Sequence, residues 1–190
     1  EGLYASTYKY ALLLALSDLA VERGDVGGAE LLIGADEIAS RFIEYYWRQT
    51  APYPVVGGSS KVLLQNKGRQ AAIAENVRRM QKEAGGSIAR ARSDPPRWQK
   101  LVKSVSQTVR VMPLWKLQRV RSGDRDFLYE NVGRGNTITL RPGIAYCLRE
   151  FHGQIQNMVQ GAWAREIRRM RQNAPIVGES ADLQEFLFGS

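Results

Sequence analysis

The sequence predicts a mainly α fold with a small antiparallel β-hairpin or sheet, including winged-helix-like elements. Three observations carry this. Apolar residues recur every three or four positions over most of 1–110 and again over 142–173. Between them, over 112–140, apolar and polar residues alternate instead. Glycines and prolines punctuate the changes of period. The 190 residues read as a single domain: helical 1–110, a small sheet 112–140, a long helix 142–173 and a short C-terminal helix 180–188.

The first helix runs from about Ser6 to Glu22, with Tyr8, Leu12, Ala15 and Leu19 on one face. Gly24, Gly27 and Gly28 make a loop, and Leu31 to Ile33 a short strand. A second helix, Asp36 to Gln49, places Ile38, Phe42, Tyr45 and Tyr46 together. Trp47 lies off that face and reads as core or as the cover of a neighbouring element, although an indole can also stack on a base. Two prolines and two glycines make 51–60 a loop, and Lys61 to Gln65 follows as a brief strand. A third helix, Arg69 to Glu83, turns Ile73, Val77 and Met80 inward and Arg78, Arg79 and Lys82 outward, and Gly85 and Gly86 end it. Ile88 to Asp94 reads as a basic connector. Pro95 and Pro96 suit the first turn of a fourth helix, where an N–H has no partner to lose.

In the alternating region, Trp115 and Leu117, Phe127 and Tyr129, and Ile138 and Leu140 suggest two or three strands, with a turn at 133–136. The long helix carries a stripe of Leu148, Phe151, Ile155, Met158 and Ala162, spaced for packing on another helix. That stripe is a candidate homodimer seam over 148–162. Ser180 is placed to cap the last helix.

Charge segregates along the chain. The net charge is +8, yet Lys61 to Arg121 alone is +12: 15 basic residues face only Glu75, Glu83 and Asp94. The rest is −4. A block of this kind suggests a polyanionic partner, DNA first among them. The leading candidate is Gln65, Asn66, Lys67, Arg69 and Gln70, with Lys61 just upstream. A helix start offers free N–H groups to a phosphate, and the amide side chains suit base edges or phosphate oxygens. Arg90, Arg92, Arg97, Lys100 and Lys103 form a second strip, nearly free of acids, whereas a merely solvated face usually mixes signs. Arg165, Arg168, Arg169 and Arg171 stand near a helix C-terminus, where cations are favoured in any case.

Catalytic chemistry is poorly supplied. His152 and Cys147 are the only residues of their types, too few for a His/Cys metal site, and neither a catalytic residue nor a cofactor is expected here. His152 reads as a structural or interface residue, and Cys147 as a small buried hydrophobe. Asp124 and Asp126 suit a turn, and Asp36 and Glu37 a helix N-terminus. Gly57 to Lys61 lacks the spacing of a phosphate-binding loop. No apolar run reaches the ~20 residues of a membrane span. A single cysteine fits a reducing, cytoplasmic setting.

Several stretches carry a resemblance: Tyr8 to Leu16, Phe42 to Gln49, Leu64 to Ala72, Gly161-Ala162-Trp163 and the closing Asp182 to Ser190. Together they resemble the N-terminal, non-catalytic region of bacterial HNH endonucleases. That resemblance implies a DNA-recognition role, a nuclease domain following Ser190, and a setting in restriction or phage defence. The paired histidines and Cys-x-x-Cys pairs of such nucleases are missing, so no catalytic residue carries over.

Overall fold

The computed structural model describes residues 7–55, 58–68, 70–120, 123–124, 126–130, 135–178 and 182–189. The fold is mainly helical with small antiparallel strand pairs. The elements are α1 (Tyr8–Arg23), β1 (Leu31–Gly34), α2 (Ala35–Gln49), α3 (Ala72–Glu83), α4 (Ile88–Arg92), α5 (Pro95–Val111), α6 (Pro113–Lys116), β2 (Arg119–Val120), β3 (Gly123–Asp124), β4 (Thr137–Leu140), α7 (Ile144–Glu150), α8 (His152–Arg169), α9 (Ala174–Val177) and α10 (Leu183–Phe188). The chain divides into two compact units. One comprises Glu1–Thr7, Ile43–Leu101 and Gln160–Ser190, the other Tyr8–Phe42 and Val102–Val159. Each unit draws on remote stretches of sequence, so no single cut separates them.

The second unit is built on α1. Ala11, Leu12, Leu14, Ala15, Leu16, Leu19 and Ala20 are all buried, which makes α1 an interior helix with little polar face. It packs against α7 and α6. The Ser17 hydroxyl donates to the Leu148 carbonyl at 3.1 Å, and the Arg149 guanidinium donates to the Gly24 carbonyl at 3.0 Å, just past the end of α1. β1 pairs antiparallel with β4, Leu31 opposite Leu140 and Gly34 opposite Thr137. Alternation along β1 buries Leu31 and Ile33 and leaves Leu32 exposed. Tyr129 bridges to Leu140, and Gln118 then acts as a substitute strand. Its Oε1 accepts from Leu128 N–H (2.7 Å) and Tyr129 N–H (3.1 Å), while its Nε2 donates to Tyr129 O (2.9 Å).

The Tyr129 ring is fully buried and its hydroxyl donates to Leu114 O at 2.6 Å. Burial, and then the nearby Asp126 charge, push the phenol well above its usual range. A raised folded-state value means that the neutral phenol contributes stability below about pH 10, lost as pH climbs towards the folded-state value. Alkaline denaturation followed by circular dichroism should therefore show a loss of stability that Tyr129→Phe abolishes. At pH 7 the same substitution should cost about 1 kcal/mol through the orphaned Leu114 carbonyl. An unchanged alkaline limb in Tyr129→Phe would discount the phenol.

In the first unit, α3 ends at Ala84, and Gly85 (φ +59°) and Gly86 (φ +83°) turn the chain through the left-handed region. Trp47 secures this turn: it is buried, and its indole N–H donates to Gly86 O at 3.0 Å. Ser87 caps α4 by accepting from Arg90 N–H. Asp94 accepts from Arg97 N–H in the first turn of α5, after which Pro95 and Pro96 enter without losing a bond. Tyr46 and Trp163 form the middle of the core, both fully buried with ring centroids 5.5 Å apart.

Several sequence expectations change. The connector 88–94 contains a helix, α4, because Ser87 supplies a cap. Trp115 lies in the short helix α6, opened by Pro113, and not in a strand. The paired strands are instead β1 with β4 and β2 with β3. Lys61 to Gln65 makes only a bridge, Lys61 opposite Tyr53. The long helix is divided at Phe151 (φ −99°, ψ 17°) and ends at Arg169. The stripe on it is not core: Leu148 is buried, but Phe151 is 56% and Met158 62% exposed. Cys147 is exposed, not buried. His152 is structural, its Nε2 lying 2.7 Å from Asp18 Oδ1. The turn at 133–136 and the cap at Ser180 fall largely or wholly outside the described residues.

Candidate nucleic-acid interface

The segment before α3 makes only isolated bridges, at Lys61 and Asn66, so the backbone between them needs other hydrogen-bonding groups. Side-chain amides supply most of them. Asn173 brackets Leu64: Oδ1 accepts from Leu64 N–H at 2.8 Å and Nδ2 donates to Leu64 O at 2.9 Å. Gln70 closes the loop on itself. Its Oε1 accepts from Gln65 N–H (2.9 Å) and Ala71 N–H (3.0 Å), and its Nε2 donates to Leu63 O (3.1 Å). Gln65 O accepts from Thr7 N–H at 3.1 Å.

The Gln65 side chain points inward and is fully buried. Its Oε1 accepts from the Thr7 hydroxyl and from the Trp163 indole N–H, each at 3.0 Å. The Thr7 hydroxyl also lies 2.6 Å from Tyr46 Oη. Gln65 and Gln70, expected to reach a nucleic acid, are therefore committed to the fold. The Gln65 Oε1 satisfies core donors and the half-buried Gln70 amide satisfies loop backbone groups.

Past this clamp the chain emerges. Asn66 is half-buried, and Lys67 and Gly68 are exposed. Gly68 adopts φ +81°, and nothing lies within 4 Å of where a Cβ would sit, so the turn selects glycine by backbone conformation and not by crowding. α3 begins at Ala72 after an extended Ala71 that makes no side-chain capping bond. Arg69 lies outside the described residues.

Nine basic side chains between 61 and 100 are exposed: Lys61, Lys67, Arg78, Arg79, Lys82, Arg90, Arg92, Arg97 and Lys100. Two are engaged. Arg92 pairs with Glu44 and lies over the Trp98 ring, 5.3 Å from its centroid. Arg97 pairs with Asp94 at 3.2 Å. The other seven make no ion pair among the described residues. Arg90 folds back over the α3–α4 turn, its guanidinium against Gly85. Lys103, also exposed, belongs to the second unit.

Arg78, Arg79 and Lys82 were not among the candidate residues, although their outward position on α3 was legible from the Ile73, Val77 and Met80 spacing. They line an open depression of about 660 Å³ together with Glu75, Asn76 and Glu83. Its lining comes from a single helix face, unlike the convergent walls of a small-molecule pocket. Among the described residues no group of three or more His, Cys, Asp or Glu is placed to hold a metal ion, and no helix is long and apolar enough to cross a membrane.

A family model described as a domain of unknown function, DUF8808, matches residues 4–187. The chain belongs to this family. The DUF8808 match spans both units, including the clamped loop, α3 to α5 and the C-terminal helices. No curated protein matches the chain, and no solved structure does.

Proposed function

We propose that this DUF8808 chain is a DNA-recognition module, of the kind an HNH endonuclease carries beside its catalytic domain, and that it grips duplex phosphates through the 61–100 surface. The observation that carries the reading is the group of seven exposed cations, Lys61, Lys67, Arg78, Arg79, Lys82, Arg90 and Lys100, with no carboxylate partner among the described residues. Unpaired exposed cations repel one another, and phosphates relieve that repulsion while releasing condensed counterions. No large apolar side chain of this unit is exposed among the described residues, so its surface suits a polar, charged partner. The sequence stretches resembling HNH endonucleases support DNA over other polyanions. The test is fluorescence anisotropy of a labelled 20-bp duplex titrated with the chain over a salt series. Binding that weakens steeply with salt is expected, and no binding to duplex DNA at low salt would reject the reading.

A second reading, a helical dimerisation domain, has its own support. Val21, Val26, Leu32, Val111, Trp115, Phe127, Tyr146, Phe151 and Met158, the exposed large apolar side chains among the described residues, all belong to the second unit. Ile155 and Met158 lie about 60° apart around α8 at 100° per residue, and exposed Phe151 immediately precedes that helix. If copies pair through this ridge, light scattering should show a dimer that Phe151→Glu converts to monomer. A wild-type monomer across the concentration range dismisses the seam.

A further inference from the structure

We infer that Asn66, Lys67 and Gly68 form a pre-ordered contact tip, and that Gln70 is the positioning residue that holds it; this rests on the DNA-recognition reading above. The tip contains no large apolar side chain, and none of its three residues is fully buried. Its base, in contrast, is fastened more heavily than a connecting loop requires. Leu63 O, Leu64 N–H and O, and Gln65 N–H are each matched by a side-chain amide of Gln70 or Asn173. Gln65 is further held through its carbonyl and its side chain by Thr7 and Trp163. The tip is thus short and polar, with Lys67 and Gly68 exposed and Asn66 half-buried, and it follows a base whose backbone bonds are matched. Loops that carry recognition are held this way, because ordering completed during folding is not charged again on binding.

Gln70 stands apart from the other clamps. Asn173 and Trp163 are buried in the core, where their loss disturbs the whole unit. Gln70 is half-buried, and its three bonds all lie within residues 63–71. Its loss should free the loop and leave the core in place. Lys67, at the tip and without an ion pair among the described residues, is then the side chain whose phosphate contact depends on Gln70.

The experiment uses the full chain, a mixed-sequence 20-bp duplex, and three variants: Lys67→Gln, Gln70→Ala and Gln70→Glu. Lys67→Gln should reduce the slope of log affinity against log salt by about 1. Gln70→Ala should weaken binding roughly 3- to 10-fold, the span set by the cost of ordering a loop on binding, with the slope kept. Amide hydrogen exchange should quicken at Gln65 and Ala71 in Gln70→Ala while the melting temperature moves little. Gln70→Glu keeps both accepted bonds and should restore that protection. Faster exchange with unchanged affinity would show that the tip is not a contact and overturn the inference while the wider interface stands. Unchanged exchange would equally remove Gln70 as its positioning residue. Absence of any binding by wild type is a different result, and it removes the DNA-recognition reading itself.

Discussion

Asn173→Ala is expected to lower stability by about 2 kcal/mol and to cut the melting temperature by roughly 4–8 °C for a chain of this size. Asn173 is fully buried. It occupies the N-cap position of α9 but makes no side-chain capping bond there. Its amide instead serves three backbone groups: Leu64 N–H, Leu64 O and, at 3.0 Å, Ile167 O. Truncation strands one donor and one acceptor, both on Leu64, while Ile167 O keeps Met170 N–H at 3.3 Å. Each stranded group carries a desolvation penalty of about 1–3 kcal/mol where water cannot enter. The lower end of that range applies per group, since Leu64 is only partly buried and can relax towards solvent. Asn173→Asp should be worse than alanine. It keeps the acceptor for Leu64 N–H but turns a carboxylate oxygen towards two carbonyls in a poorly hydrated site. Thermal and urea unfolding measure both. A loss below about 0.5 kcal/mol for alanine, the range of an ordinary surface substitution, would show that the clamp carries no energy.

Asn173 also shows where the sequence stops being legible. An asparagine followed by alanine and proline reads as an ordinary helix start. Nothing local reveals that its partner is Leu64, 109 residues away. Gln118 misleads in the same way. It alternates with Trp115 and Leu117 and so suggests an outward strand residue, yet it is buried and substitutes for a strand beside Leu128 and Tyr129. Both errors have one physical origin. A side-chain amide carries the same donor and acceptor as a peptide group, so it can complete a ladder without any period-2 signature. What was legible followed from period and punctuation: α1, α2 and α5, the turn at Gly85 and Gly86, and the inward face of α3. The candidate site was half legible for a related reason. Charge can be counted along a chain, so Lys67, Arg90 and Lys100 are legible as candidates, and all three are exposed. Burial depends on contacts remote in sequence, so Gln65 was mistaken for a contact residue when it is a core hub touching Thr7 and Trp163.

Replacing Lys61, Lys67, Arg90 and Lys100 together with glutamine is expected to collapse the salt dependence of DNA binding and leave the fold intact. With about seven phosphate contacts the log–log slope for duplex DNA is about −6.3, so affinity falls about 6,000-fold between 50 and 200 mM salt. Removing four contacts leaves a slope near −2.7 and only about a 40-fold fall over the same range. At 50 mM salt the variant should already bind far more weakly than wild type. Stability should stay within about 0.5 kcal/mol per site, because these side chains are exposed and make no ion pair among the described residues. This separates the four from Arg92 and Arg97. Those two are tied to Glu44 and Asp94, so neutralising either one takes a cation from a carboxylate as well as from the surface. Arg92→Gln and Arg97→Gln should accordingly weaken binding with a smaller change of slope than Lys67→Gln or Lys100→Gln. The four-site variant therefore decides whether the charge block is an interface or a solvated face. If its slope matches wild type while the chain remains folded, phosphates are held elsewhere and the 61–100 surface is only solvated.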